Sequence, residues 1–452
     1  MIKKKSFLQI NTFSYKHIPL SYNITILKKK QLKQYNIVQT RYPMHFTVLV
    51  SLLLSSFISA SAVPISKEFM DNNNSNSGVT NNNNNNNNND NGDKILKLPI
   101  QINNNPEFVQ MLRKRDGKII SADTDIHQIL LTFPINIANQ QVNVVVDTGS
   151  RSTWFAKDNI NNLCDLNSCI LNNNLNELEI SNNDYGIYYT GNFGASGKWS
   201  TGELSINNSD KVNFKFGLAN SIDGSSGGYS WSGFSYDIDS SLSTLDESHL
   251  IDALKLGNVI DKRIFEIQYN KIDDWTNDIM GQGELTIGGY DEINKNYKFF
   301  DMVDNVNIYM GIKMNSLKNA NNKSIDFENN KMIVFDSGST SLSLKQKYID
   351  SILSDIKYDP DYPGFFDCSS YQDYKITFQI DDNSKIELPL SSLSWNSYQE
   401  DYDLCQLMIG TIDDNSEMEA VLGQYAMKNF NTVFNIDDKK IGLSSSDTII
   451  FS

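Results

Sequence analysis

Two stretches of this chain read as copies of one another, and the repeat narrows the possible folds more than any other feature. The first is Val144-Val145-Val146-Asp147-Thr148-Gly149-Ser150; the second is Ile333-Val334-Phe335-Asp336-Ser337-Gly338-Ser339. Each is a run of apolar, strand-forming residues that ends on Asp-Thr/Ser-Gly. Each is followed by a segment closing on glycine, Trp231-Ser232-Gly233-Phe234 in the first copy and Val421-Leu422-Gly423-Gln424 in the second. Gly233 stands 86 residues after Asp147, and Gly423 stands 87 after Asp336. A lone Asp-Thr-Gly says little, because turns are made of such residues. Two copies with matched downstream spacing imply a duplicated lobe. The length of 452 residues agrees, being well past the size at which one core stops growing.

From about residue 120 the sequence consists of short apolar or alternating runs separated by Asn, Asp and Gly clusters. Val142–Val146, Glu284–Ile287 and Tyr374–Phe378 are examples. These are strand signals, and helical periods are few. The best helix candidate runs from Lys345 to Ile356, so the fold class is mostly β. Residues 1–115 carry 15 Lys+Arg against 5 Asp+Glu, whereas residues 116–452 carry 24 against 49. An acidic body of net −25 repels nucleic acid, which excludes that class of partner. His127 and His249 are the histidines beyond residue 115, and neither lies in a nucleophile motif, which argues against a Ser/His or Cys/His hydrolase. Cys164, Cys169, Cys368 and Cys405 have no metal-ligand spacing with histidine, so no metal or other cofactor is expected. Their even number suggests disulfides if the chain is exported; four buried free thiols is the competing reading.

The front of the chain reads as targeting and processing sequence. The apolar run from Met44 ends in Ala60-Ser61-Ala62, which has the form of a secretory signal cleaved after Ala62. Residues 1–43 form a lysine-rich leader upstream of it, read as lying before the true start; an uncleaved signal anchor is the alternative. An unbroken asparagine run covers Asn81–Asn89, in a tract with nothing to bury that is expected to stay disordered. Arg113-Lys114-Arg115 then stands just ahead of the strand-rich text. It is similar to the Lys-Arg site of kexin-like convertases, which makes Lys114 and Arg115 the processing residues and such a protease a partner. The expected organisation is therefore signal 44–62, pro-segment 63–115, first lobe 116–299 and second lobe 300–452.

The repeat itself carries chemistry. A strand ending in Asp-Thr/Ser-Gly sets a carboxylate on a tight turn at the edge of a rigid sheet. The glycine lets backbone amides approach the carboxylate, and a following hydroxyl can hydrogen-bond to it. Two such aspartates brought face to face cannot both ionise, because like charges a few ångströms apart repel strongly. They share one proton. The ionised member can then take a proton from water while the protonated member donates to a carbonyl.

With these residues in view, the chain resembles the pepsin family of two-lobed aspartic proteases, in the style of secreted yeast candidapepsin-like or yapsin-like enzymes. The resemblance covers roughly residues 125–450 and implies a bilobal fold with the active-site cleft between two homologous β lobes. It implies that Asp147 and Asp336 are the catalytic pair, within loops that include Gly149 and Gly338, and that Ser150 and Ser339 are supporting hydroxyls. Tyr189 matches the tyrosine of the hairpin flap, spaced from Gly197-Lys198-Trp199 as in fungal members, and Trp154 matches the tryptophan that bonds to it. Gly283–Asp291 matches the segment joining the lobes. The family's pattern also implies the pairings Cys164–Cys169 and Cys368–Cys405. Departures occur at the flap tip, Thr190-Gly191-Asn192, at the polar Ser230 and Ser232, and at Arg151 in place of a common serine. The expectation is a monomeric, secreted endopeptidase acting on proteins or peptides, without stable membrane insertion; the vacuole or cell wall is the alternative destination. Asn207 and Asn322 are glycosylation acceptors in an exported chain. An inactive binding protein with this fold and a cell-wall structural protein are the competing functional classes.

Overall fold

The computed structural model describes residues 94–104 and 129–451, the latter with breaks at 159, 161–162, 190–192, 225–228, 237–244, 270–280, 293–295, 304–308, 329–330, 361, 363, 400–401 and 445–448. The duplicated sequence folds as duplicated topology. In the first copy the strand Gln140–Asp147 runs parallel to Ser230–Gly233, with Asp147 in register with Gly233. In the second copy the strand Met332–Phe335 runs parallel to Met418–Leu422, with Phe335 beside Leu422. A third strand closes each motif antiparallel to the second, Trp154–Lys157 in the first copy and Leu342–Leu344 in the second. The catalytic-type loops thus leave equivalent strands of two equivalent β units.

Burial explains why these strands form. Val142, Val144, Val145 and Val146 are wholly buried, as Phe335 is in the second copy, so both faces of each strand are covered. The strand Ile129–Ile137 enters Gln140–Asp147 through a two-residue turn in which Ala138 and Asn139 hold φ of 51° and 55°. Positive φ at both central positions matches the twist of a tight hairpin. A fourteen-stranded sheet spans both halves, joining Ile264–Tyr269 and Gly281–Ile287 to the late strands Thr432–Asn435 and Lys440–Ser444. Three smaller sheets belong to the second half.

The first strand lies earlier than the sequence reading placed the start of folded structure. Leu96–Asn104 inserts between Gly281–Ile287 and Ile129–Ile137, with Leu98 and Ile100 buried. The signal was available, since Leu96, Leu98, Ile100 and Ile102 alternate at the period of a strand. The helix expected at Lys345–Ile356 is Gln346–Leu353. Both disulfides are present: Cys164–Cys169 and Cys368–Cys405, with Cα–Cα distances of 4.9 and 5.1 Å.

Two buried ionic clusters brace the halves. Arg263 Nε donates to Asp437 Oδ1 at 2.6 Å and its Nη1 to the Tyr236 hydroxyl at 2.7 Å, with the fully buried Asp252 3.7 Å away. In the second half, the Lys345 ammonium meets Glu419 Oε1 at 2.5 Å, and Tyr348 donates its hydroxyl hydrogen to the other oxygen. Both members of the Lys345–Glu419 pair are inaccessible to solvent, which is tolerable only because each charge is matched.

Candidate active site

Each copy ends its strand on an aspartate held in the same way. Gly149 N donates to Asp147 Oδ1 at 2.9 Å, and Gly338 N donates to Asp336 Oδ1 at 2.9 Å. The Ser150 hydroxyl donates to Asp147 Oδ2, and the Ser339 hydroxyl to Asp336 Oδ2 at 2.6 Å. The hydroxyl directly after each aspartate has a different task. Thr148 Oγ1 donates to Phe335 O at 2.8 Å and accepts from Ser337 N at 2.8 Å. Ser337 Oγ returns the arrangement, donating to Val146 O at 2.7 Å and accepting from Thr148 N at 3.1 Å. Four buried hydrogen bonds therefore lock one loop against the other.

The glycines explain how close that approach is. A Cβ on Gly149 would fall 2.4 Å from Asp336 Oδ1, and one on Gly338 would fall 2.2 Å from Asp147 Oδ1. Each glycine makes room for the opposite carboxyl group. Burial raises both aspartates above the ordinary carboxylate range. The charge of Asp336 pushes Asp147 up further. Two buried carboxyls this close cannot both carry a charge at little cost, so the pair holds one proton between them.

A hairpin lies beside the pair. Glu179–Tyr189 is antiparallel to Phe193–Ser205, with Tyr189 directly opposite Phe193. The Trp154 indole donates to the Tyr189 hydroxyl at 2.9 Å. Burial, and then the charge of Asp147, hold the Tyr189 phenol well above its ordinary value. The tip at Thr190-Gly191-Asn192 lies outside the described residues, as do Lys114, Arg115 and the signal-like run.

Residues 132–446 match the family model for eukaryotic aspartyl protease, well over half of the chain. The chain belongs to that family. It is an aspartic-type endopeptidase. This protease is 23% identical over 392 residues to Secreted aspartic protease 3 of Candida albicans, covering 76% of its own length and 92% of that protein. It is 28% identical over 199 residues to Secreted aspartic protease 1 of the same organism, covering 42% and 47%. Among solved structures, the aspartic proteinase from Irpex lacteus superposes with a TM-score of 0.57 at 15% identity, over 78% of this chain and 98% of that one. That likeness shows the bilobal β fold.

Further residues of the protease pack around the two loops. The buried Gln424 donates through Nε2 to Ser337 O and accepts from the Tyr269 hydroxyl at 2.8 Å, tying the second loop to a strand from the first half. Tyr309, from the second half, has its phenol raised by burial and by the charges of Asp336 and Asp147. Phe193 stacks on Tyr189 at 4.3 Å and 12°. Arg151, the departure next to Ser150, pairs with Asp246 at 2.6 Å and so fastens the first loop to the segment before the helix Leu250–Leu256. The remaining sequence candidates lie away from the pair. Asn207 and Asn322 occupy exposed turns at φ of 53° and 59°. Among the described residues the one grouping with metal-ligand proximity is Asp158 with Cys164 and Cys169, whose sulfurs are joined in a disulfide. No helix among those residues is long and apolar enough to cross a membrane.

Proposed function

We propose that Asp147 and Asp336 are the catalytic pair of a secreted endopeptidase that hydrolyses peptide bonds in proteins at acidic pH. The mirrored support of the two carboxyls, each held by a glycine amide and a serine hydroxyl, carries this reading. Asp336, ionised, takes a proton from a water as that water attacks the scissile carbonyl carbon. Asp147 gives its proton to the carbonyl oxygen, so charge never accumulates on the tetrahedral intermediate. Return of a proton to the amide nitrogen then lets the C–N bond break. Tyr189, held by Trp154, covers the reacting centre, and Gly149, Gly338, Ser150 and Ser339 hold the two carboxyls in place.

Export rests on the signal-like run ending at Ala62 and on the names of the secreted Candida albicans relatives. Maturation by a kexin-like protease after Arg115 would release a chain beginning at Asp116. Glycosylation at Asn207 and Asn322 fits their exposure. Acid-dependent cleavage of a denatured protein, abolished by a statine-type inhibitor, tests the activity. Asp147→Asn or Asp336→Asn should lower turnover by about a thousandfold or more, since both proton transfers fail together. A variant that kept a tenth of wild-type turnover would refute the assignment.

A further inference from the structure

Beside Asp147 lie three aromatic rings that pack on one another. Tyr189 and Phe193 are cross-strand partners, so their side chains share the face of the hairpin that looks inward. Below them lies Trp231, with ring centroids 5.2 Å from Tyr189 and 5.1 Å from Phe193. The sheet register explains how Trp231 comes to be there. Gly233 pairs with Asp147 and Trp231 with Val145, so the indole projects from the same sheet face as the catalytic carboxyl, two residues along. The indole is nearly inaccessible, at 4% exposure. Its Cζ3 lies 3.0 Å from where a Cβ on Gly338 would sit, and Asp147 Oδ1 lies 2.2 Å from that same point. The ring therefore spans from the first lobe to the second catalytic loop, against the pair itself.

A substrate must lay its scissile carbonyl on the two carboxyls, under the hairpin. The side chain of the residue flanking that bond on the Trp231 side then needs the volume that the indole and the Phe193 ring occupy. We propose that Trp231, backed by Phe193, determines specificity by filling this volume, so that the protease cleaves beside a small residue (Gly, Ala or Ser) on that side and rejects bulky ones. The inference rests on the catalytic assignment above. Its chemistry is plain steric selection: a pocket discriminates about 10–200-fold per methylene that it has no room for, and a close-packed aromatic cluster yields little.

The test is cleavage-site profiling of the activated enzyme on a mixed peptide library, read by mass spectrometry, with kcat/KM for a matched pair of peptides bearing Ala or Phe at the position in question. Wild type should favour the Ala peptide at least tenfold. Trp231→Leu should raise the Phe-to-Ala ratio at least tenfold. Phe193→Ala removes a half-buried ring rather than a core one, and should move the ratio in the same direction by a smaller factor, so the inference stays testable even where Trp231→Leu folds poorly. The pH profile on the Ala peptide should keep its shape in both variants, as a change of pocket volume leaves the titrating pair alone. Equal wild-type cleavage of both peptides, or a ratio unmoved by both substitutions, overturns the inference. Failure of wild type to cleave any peptide would sink the catalytic reading and the inference with it, a result distinct from an unchanged profile.

Discussion

Replacing Thr148 by valine tests whether the loop-to-loop lock is a structural device or an incidental contact. Valine has nearly the shape of threonine, so no cavity opens and the change isolates the hydroxyl. Thr148 is wholly buried, and its Oγ1 serves Phe335 O and Ser337 N at 2.8 Å each. Water does not reach either partner's side of this contact, so both lose a hydrogen bond without replacement. A buried polar group left unmatched costs about 1–3 kcal/mol, so the two together give about 2–6 kcal/mol. Activity should suffer separately, since a displacement near 1 Å between reacting groups costs about a hundredfold. Urea unfolding gives the first quantity and kcat on a peptide the second. Ser337→Ala and the double variant complete a cycle, in which groups sharing one network couple by about 0.5–3 kcal/mol. A Thr148→Val loss below about 0.5 kcal/mol, with kcat intact and an additive double variant, would show that the loops are aligned by something else.

Three further outcomes are expected. Asp147 has a folded pKa above its unfolded value, so its contribution to stability is intact below about pH 3.9 and lost as pH rises through the folded value; Asp147→Asn should therefore gain melting temperature relative to wild type at pH 7 and not at pH 3. His249 is buried and held below its ordinary value by desolvation, against the pull of Asp252, so wild type loses stability as pH falls below about 6.5; His249→Leu should flatten that decline between pH 7.5 and 5, and parallel melting curves would refute it. Lys345→Met leaves Glu419 charged and enclosed, which should cost about 3–5 kcal/mol in denaturant unfolding, and adding Glu419→Leu should recover much of it.

What could be read from the sequence was whatever local pattern specifies. The two Asp-Thr/Ser-Gly loops and their trailing glycines lie on strands whose apolar runs announce them, and the repeat fixes their relation. The disulfide pairings came from family resemblance rather than from spacing. The cross-loop role of Thr148 and Ser337 stayed hidden, because a hydroxyl beside an aspartate looks equally able to bond its neighbour; that it reaches across 187 or more residues is decided by packing. Gln424 closes the second copy's glycine segment, and Tyr309 lies outside any motif; both gain meaning only through what the opposite half brings to them. Lys345 read as the start of a helix, and it does precede Gln346–Leu353, yet its ammonium turns inward to Glu419. Trp231 opens the segment that closes on Gly233, but its position beside the pair depends on a strand register that sequence alone does not give.

The strand Leu96–Asn104 has neighbours on both sides, seven register pairs with Gly281–Ile287 and four with Ile129–Ile137. A cut after Arg115 would turn this interior strand from a part of the chain into a bound peptide. Its retention would then follow mass action: a ligand stabilises the folded state by an amount that grows with the logarithm of its free concentration over its dissociation constant. Where the cut protein is concentrated, the strand would stay seated. On dilution it could leave, and two facing rows of unpaired backbone groups would then be open to any extended chain. The durability of such an enzyme would depend on how far it has been diluted since it was cut.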